Sequence, residues 1–142
     1  SILKQSPGRD IIFDLTKSLS LEGDSGPYLQ YAYVRARAVL ATARSVGIPA
    51  NPESAPAELS ELERRLARFP EVIARAASLY APNLLVTYLT ELASSFNAYY
   101  AAQKIIDSTD PYSPYRLTLT QALTTVLKNG LDILAIPVLD RM

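Results

Sequence analysis

The sequence predicts an all-α protein, a bundle of helices joined by proline-rich connections. Three observations point there. Ala and Leu dominate the apolar residues, and no segment alternates apolar and polar side chains for long enough to read as a strand. Prolines divide the chain into segments of helical length. Within those segments apolar residues recur at three- and four-residue spacing, the period of a helix buried on one face. At 142 residues the chain has the length of one domain, and its short connections make successive helices antiparallel neighbours.

The elements follow in order. Residues 1–13 read as the end of a preceding element, with Ser6-Pro7-Gly8 and then Ile11-Ile12-Phe13. A short helix is expected from Asp14, its N-cap, to Ser20. Gly23 to Pro27 is a turn, and Pro27 suits the first turn of a second helix that runs to Val46 and stops at Gly47. Pro49, Pro52 and Pro56 mark a loop. A third helix, Ala57 to Phe69, places Leu59, Leu62, Leu66 and Phe69 on one face, with Glu58, Glu61, Glu63, Arg64, Arg65 and Arg68 on the other. Those charges read as a solvated face of arginine–glutamate pairs, with phosphate binding as the alternative. Pro70 restarts a short helix to Tyr80, and Pro82 starts a long one to Asp107. Residues 108–114 are a Pro/Asp/Ser loop. The last helix spans Tyr115 to Ile136, contains Asn129-Gly130, and meets Pro137.

Composition excludes much chemistry. The chain has no His, no Cys and no Trp, and its one Met is Met142. Without Cys there are no disulfides or thiolate sites, and without His the commonest general base and metal ligand are missing. No glycine-rich phosphate loop occurs, and no spacing supports a Ser–Lys pair. No apolar run is long enough to span a bilayer, and no signal peptide is visible. Lys+Arg and Asp+Glu are 14 each, so no global positive field marks a nucleic-acid partner. The start at Ser1 and the absence of internal Met lead to the expectation that the chain is a C-terminal piece of a longer protein.

Nine tyrosines stand against three phenylalanines. On the second helix, Leu29, Tyr33, Ala36, Leu40 and Ala43 form a core stripe, while Tyr28, Tyr31, Arg35 and Thr42 form another. Two rings above an arginine, near a helix N-terminus, make a platform on which unpaired bases can stack. The competing reading packs Tyr28 and Tyr31 against a neighbouring helix. On the long helix, Leu85, Leu89, Leu92, Phe96, Tyr99 and Tyr100 share a face read as core. Asn97, Ala101 and Lys104 lie on a flank open to a ligand.

At Phe13-Asp14-Leu15-Thr16-Lys17-Ser18-Leu19-Ser20 and Glu22-Gly23-Asp24-Ser25-Gly26-Pro27-Tyr28-Leu29-Gln30-Tyr31-Ala32-Tyr33-Val34-Arg35, the sequence resembles the C-terminal anticodon-binding domain of the arginyl-tRNA synthetase family. Leu66-Ala67-Arg68-Phe69-Pro70-Glu71-Val72, Tyr88-Leu89 with Leu92-Ala93, Phe96-Asn97-Ala98-Tyr99-Tyr100, Val126-Leu127-Lys128-Asn129-Gly130-Leu131 and Asp140-Arg141-Met142 follow in order, so the resemblance covers the whole chain. The Asp-Ala-Leu-Arg string behind the domain's nickname is not literal: the corresponding stretch reads Gln121-Ala122-Leu123-Thr124.

The resemblance implies an all-helical domain over residues 14–142, preceded by the trailing end of a catalytic body, that reads the anticodon of arginine tRNA. The parent would be a class I ligase joining arginine to tRNA with ATP and Mg. Its His-Ile-Gly-His and Lys-Met-Ser-Lys-Ser signatures have no place in a chain without His or internal Met, so no cofactor is expected in this fragment. Carried over residue by residue, the anticodon contacts fall on Tyr28, Tyr31, Asn97 and Met142, with Arg35 holding phosphate or a base edge. Asn97 stands where relatives often carry a larger ring or His, and its amide can hydrogen-bond a base edge. A cytoplasmic monomer that meets tRNA and the parent's catalytic domain, and no membrane, is expected; the face cut from the catalytic domain is the place for self-association. The alternative is a helical protein-interaction or scaffolding module without nucleic-acid binding, which balanced charge and Ala/Leu helices also suit.

Overall fold

The computed structural model describes Ser25 to Asp140. The expected helix at Asp14 to Ser20, the segment before it and Met142 lie outside the described residues. Within them stand α1 (Gly26–Ser45), a short 3-10 turn (Pro52–Ser54), α2 (Glu61–Ala67), α3 (Phe69–Ser78), α4 (Pro82–Ala102) and α5 (Ser113–Ile133), with no strand among the described residues.

Local chemistry sets the helix ends. Ser25 caps α1, its Oγ accepting from the Tyr28 amide at 3.1 Å, and Pro27 sits in the first turn. Gly47 closes α1 with φ +73, a left-handed turn that glycine adopts without steric cost; the Ile48 amide donates to the Ala43 carbonyl at 3.0 Å. The third expected helix starts four residues late, at Glu61 rather than Ala57, because Ser60 is the cap and accepts from the Glu63 amide at 3.2 Å. The long helix ends at Ala102 rather than Asp107, where Gln103 turns extended. Side chains offer the backbone of residues 103–112 other partners. Buried Ser113 donates to the Ile105 carbonyl and accepts from the Asp107 amide. Asp107 and Asp110 take the Thr109 and Tyr112 amides, and Arg116 bridges Asp110 and the Lys104 carbonyl. The last helix starts two residues early and ends at Ile133, with Ala135 at φ +56 returning the Ile136 amide to the Leu131 carbonyl.

The core lies between α1, α4 and α5. It holds Leu29, Tyr33, Ala36 and Ala43, the α4 row Leu85, Leu89, Leu92 and Phe96, and Leu123, Leu127 and Leu131 of α5. Leu40, expected in this stripe, is half-buried at its margin. Gly130, inside α5, lets that helix press on α4: a Cβ there would lie 2.6 Å from Leu89 Cδ2. α2 adds Leu62 to the core, and Tyr88 ties α4 to α2 by donating its hydroxyl to the Arg65 carbonyl at 2.9 Å. Burial pushes that phenol up to about 12.

A candidate nucleic-acid interface

Tyr28, Tyr31 and Arg35 stand three and four residues apart on α1 and so share one side of it. All three are half-buried at the margin of the bundle, outside the fully buried stripe that holds Tyr33. Asn97 meets them from α4. Its Oδ1 accepts from Arg35 Nη1 at 2.8 Å, and its Nδ2 donates to the Tyr28 hydroxyl at 3.1 Å. Guanidinium has no acceptor, so the pairing orients the amide: oxygen to the arginine, nitrogen to the phenol. Arg35 Nη2 donates to the Tyr31 hydroxyl, and the guanidinium lies 4.5 Å from the Tyr31 ring centroid. The structure thus brings four of the five expected residues into one network; the fifth, Met142, lies outside the described residues. Both tyrosine hydroxyls accept from inside the network and keep their own O–H free to donate outward. Tyr28 also packs partly on the core, so the two readings of that residue combine rather than compete.

One member escaped the sequence reading. Tyr100, expected on the core face of α4, is 44% exposed, with its ring centroid 5.3 Å from the Arg35 guanidinium carbon and 6.2 Å from that of Phe96. Helical periodicity gives the direction of the side chain correctly, toward α1. It does not say how far away the neighbouring helix is at that level. Beside Arg35 a groove of ≈ 560 Å³ opens between α1 and the end of α4, with Ala38 and Thr42 on one wall and Tyr100, Ala101 and Lys104 on the other. Ala101, Lys104 and Thr42 are the flank and stripe residues singled out from the sequence. The signal that would have found Tyr100 is the start of the Asp/Ser/Thr loop soon after it, where α4 loses its packing partners.

The charges elsewhere are largely paired. Arg65 reaches Glu61 at 3.0 Å and Glu91 at 2.8 Å, as the solvated-face reading expected. Arg37 joins Asp140 at 2.6 Å, which raises the guanidinium further, chiefly through that hydrogen bond. Hydrogen bonds from Thr109, side chain first and then backbone, together with Lys104 hold the Asp107 carboxyl down at about 2. Among the described residues no group of His, Cys, Asp or Glu could hold a metal ion, and no helix is long and apolar enough to cross a membrane.

Residues 29–142 match the family model described as the DALR anticodon binding domain. The arginine–tRNA ligase of Thermococcus kodakarensis is 38% identical over 151 aligned positions, which cover 100% of this chain and 24% of that protein. The arginine–tRNA ligase of Thermus thermophilus is 38% identical over 144 positions, 96% of this chain and 24% of that protein. The solved structure of Thermus thermophilus arginyl-tRNA synthetase superimposes with a TM-score of 0.81 and 35% identity, over 98% of this chain and 25% of that one. The chain therefore spans about a quarter of the length of the relatives it matches.

Proposed function

The chain belongs to the DALR anticodon-binding domain family, and from that membership we propose that it binds the anticodon loop of arginine tRNA. The parent protein would attach arginine to that tRNA in the cytoplasm, with ATP and Mg held by a catalytic body outside this chain, which acts as a monomer. The observation that carries the reading is the network of Tyr28, Tyr31, Arg35 and Asn97. It offers ring surface, outward phenol donors and a cation at one margin of the bundle. Unpaired anticodon bases splay over these groups, and polar atoms read their edges. Met142, near the chain's end, is assigned a base contact by the same resemblance. Zero net charge implies few neutralised phosphates, so the isolated chain binds weakly and with a shallow salt slope.

A gel shift at stated salt tests this with arginine tRNA, the same tRNA carrying a swapped anticodon, and Tyr31→Ala. The expected result is preference for the arginine anticodon and a loss of about tenfold with the variant, the scale of one base stack. Unchanged affinity together with unchanged discrimination sinks the assignment. One observation favours the second reading, docking of an apolar protein partner. A ≈ 350 Å³ hollow between α3, α4 and the end of α5 is lined by Ile73, Leu85 and Ile133, with Tyr80 exposed at its rim. Binding without a salt slope or anticodon preference would favour it.

A further inference from the structure

We propose that the groove beside Arg35 takes one extruded nucleotide, with its base stacked on Tyr100, and that Arg35 is a positioning residue rather than the phosphate contact. The inference rests on the anticodon-binding reading and says where one base goes. The network leaves Arg35 little to offer a ligand. One nitrogen is committed to Asn97 and another to the Tyr31 hydroxyl, while its flat face lies near the Tyr31 and Tyr100 rings. The same guanidinium occupies one face of Tyr31. Tyr100 is the most exposed aromatic ring of the cluster, and it lines the groove.

The groove's ≈ 560 Å³ falls within the usual range of small-ligand sites, roughly 300–1,000 Å³. Its walls supply what a nucleotide needs. Thr42 Oγ1 donates to the Ala38 carbonyl at 3.0 Å, so its lone pairs face a ligand donor. Gln103 brings an amide that can both give and accept hydrogen bonds at a base edge. Lys104 is paired with Asp107 at 3.1 Å, but its side chain is 74% exposed, so a backbone phosphate can replace that partner at small cost. Ala38 and Ala101 keep the space open.

The test uses the full 142-residue chain and a 17-nucleotide arginine anticodon stem-loop with 2-aminopurine at the middle anticodon position. Binding is expected to quench the fluorophore by stacking. Tyr100→Leu should remove the quench and weaken binding about tenfold, whereas Tyr100→Phe keeps both. Ala38→Leu, which fills the groove from an exposed position outside the network, should weaken binding similarly. If Tyr100→Leu unfolds the chain, as circular dichroism would report, Ala38→Leu decides alone. Full binding and quenching in both Tyr100→Leu and Ala38→Leu, with binding lost in Tyr31→Ala, overturns the groove assignment and leaves anticodon reading standing. No response in any of the three, together with indifference to an anticodon swap, overturns both.

Discussion

Removing the Ser113 hydroxyl measures how firmly the loop beneath the groove is held. That hydroxyl donates to the Ile105 carbonyl at 2.6 Å and accepts from the Asp107 amide at 3.0 Å, and Ser113 itself is 0% exposed. In Ser113→Ala both backbone groups lose their partner, and a buried polar group left unpaired costs about 1–3 kcal/mol. The Ile105 carbonyl belongs to a buried residue and takes the upper part of that range. Asp107 is half-buried, so its amide can recruit water and takes the lower part. The sum is about 2–4 kcal/mol, a large share of the roughly 5–15 kcal/mol that holds a domain folded. At this size each kcal/mol moves Tm by about 3 °C, so the variant should melt about 6–12 °C lower. Urea denaturation and a thermal scan measure it, with exposed Ser108→Ala as control. Lys104 and Ile106 flank this anchor, so RNA binding should weaken even where the variant is folded. A stability within 0.5 kcal/mol of the parent chain, at the threshold of ordinary surface substitutions, would refute the reasoning.

Gly130→Ala sets helix propensity, about 1 kcal/mol in favour, against overpacking on fully buried Leu89, about 1–3 kcal/mol. A net loss of about 1 kcal/mol is expected by urea melts, and the sign should reverse in a Leu89→Ala background; the same sign in both rejects the close approach as the cause. A double-mutant cycle of Tyr28→Phe and Asn97→Leu should return a coupling of about 0.5–1.5 kcal/mol in stability, and none if that bond is absent in solution. The depressed Asp107 carboxyl contributes stability that is present above its ordinary value of 3.8 and lost as pH falls through about 2. Carboxyl NMR should therefore show Asp107 titrating near 2, and Asp107→Asn should flatten the acid limb of the stability curve; titration at 3.8 rejects the network around it.

Much of the molecule was determined by sequence alone, because the information is local. Ser25 with Pro27, Gly47 and Pro82 punctuate the helices through the dihedral angles and hydrogen bonds they permit. The 3.6-residue period separates buried Tyr33 from half-buried Tyr28, Tyr31 and Arg35. The start of α2 was legible too: Ser60-Glu61-Leu62-Glu63 has the spacing of a capping box, though the earlier Ala57 and Leu59 drew the boundary forward. The end of α4 was not. Ile105 and Ile106 continue an apolar pattern, and it is Ser113, eight residues beyond Ile105, that draws its carbonyl out of the helical ladder.

Long-range geometry decided the rest. Arg35 and Asn97 lie 62 residues apart, and only the crossing of α1 with α4 makes one the partner of the other. Tyr100 points where periodicity says it should, yet it is exposed because the helices part at that level and leave a groove. A helical wheel supplies an angle around one axis. The distance to the next axis, and hence whether a ring is core or platform, depends on the packing of the whole bundle.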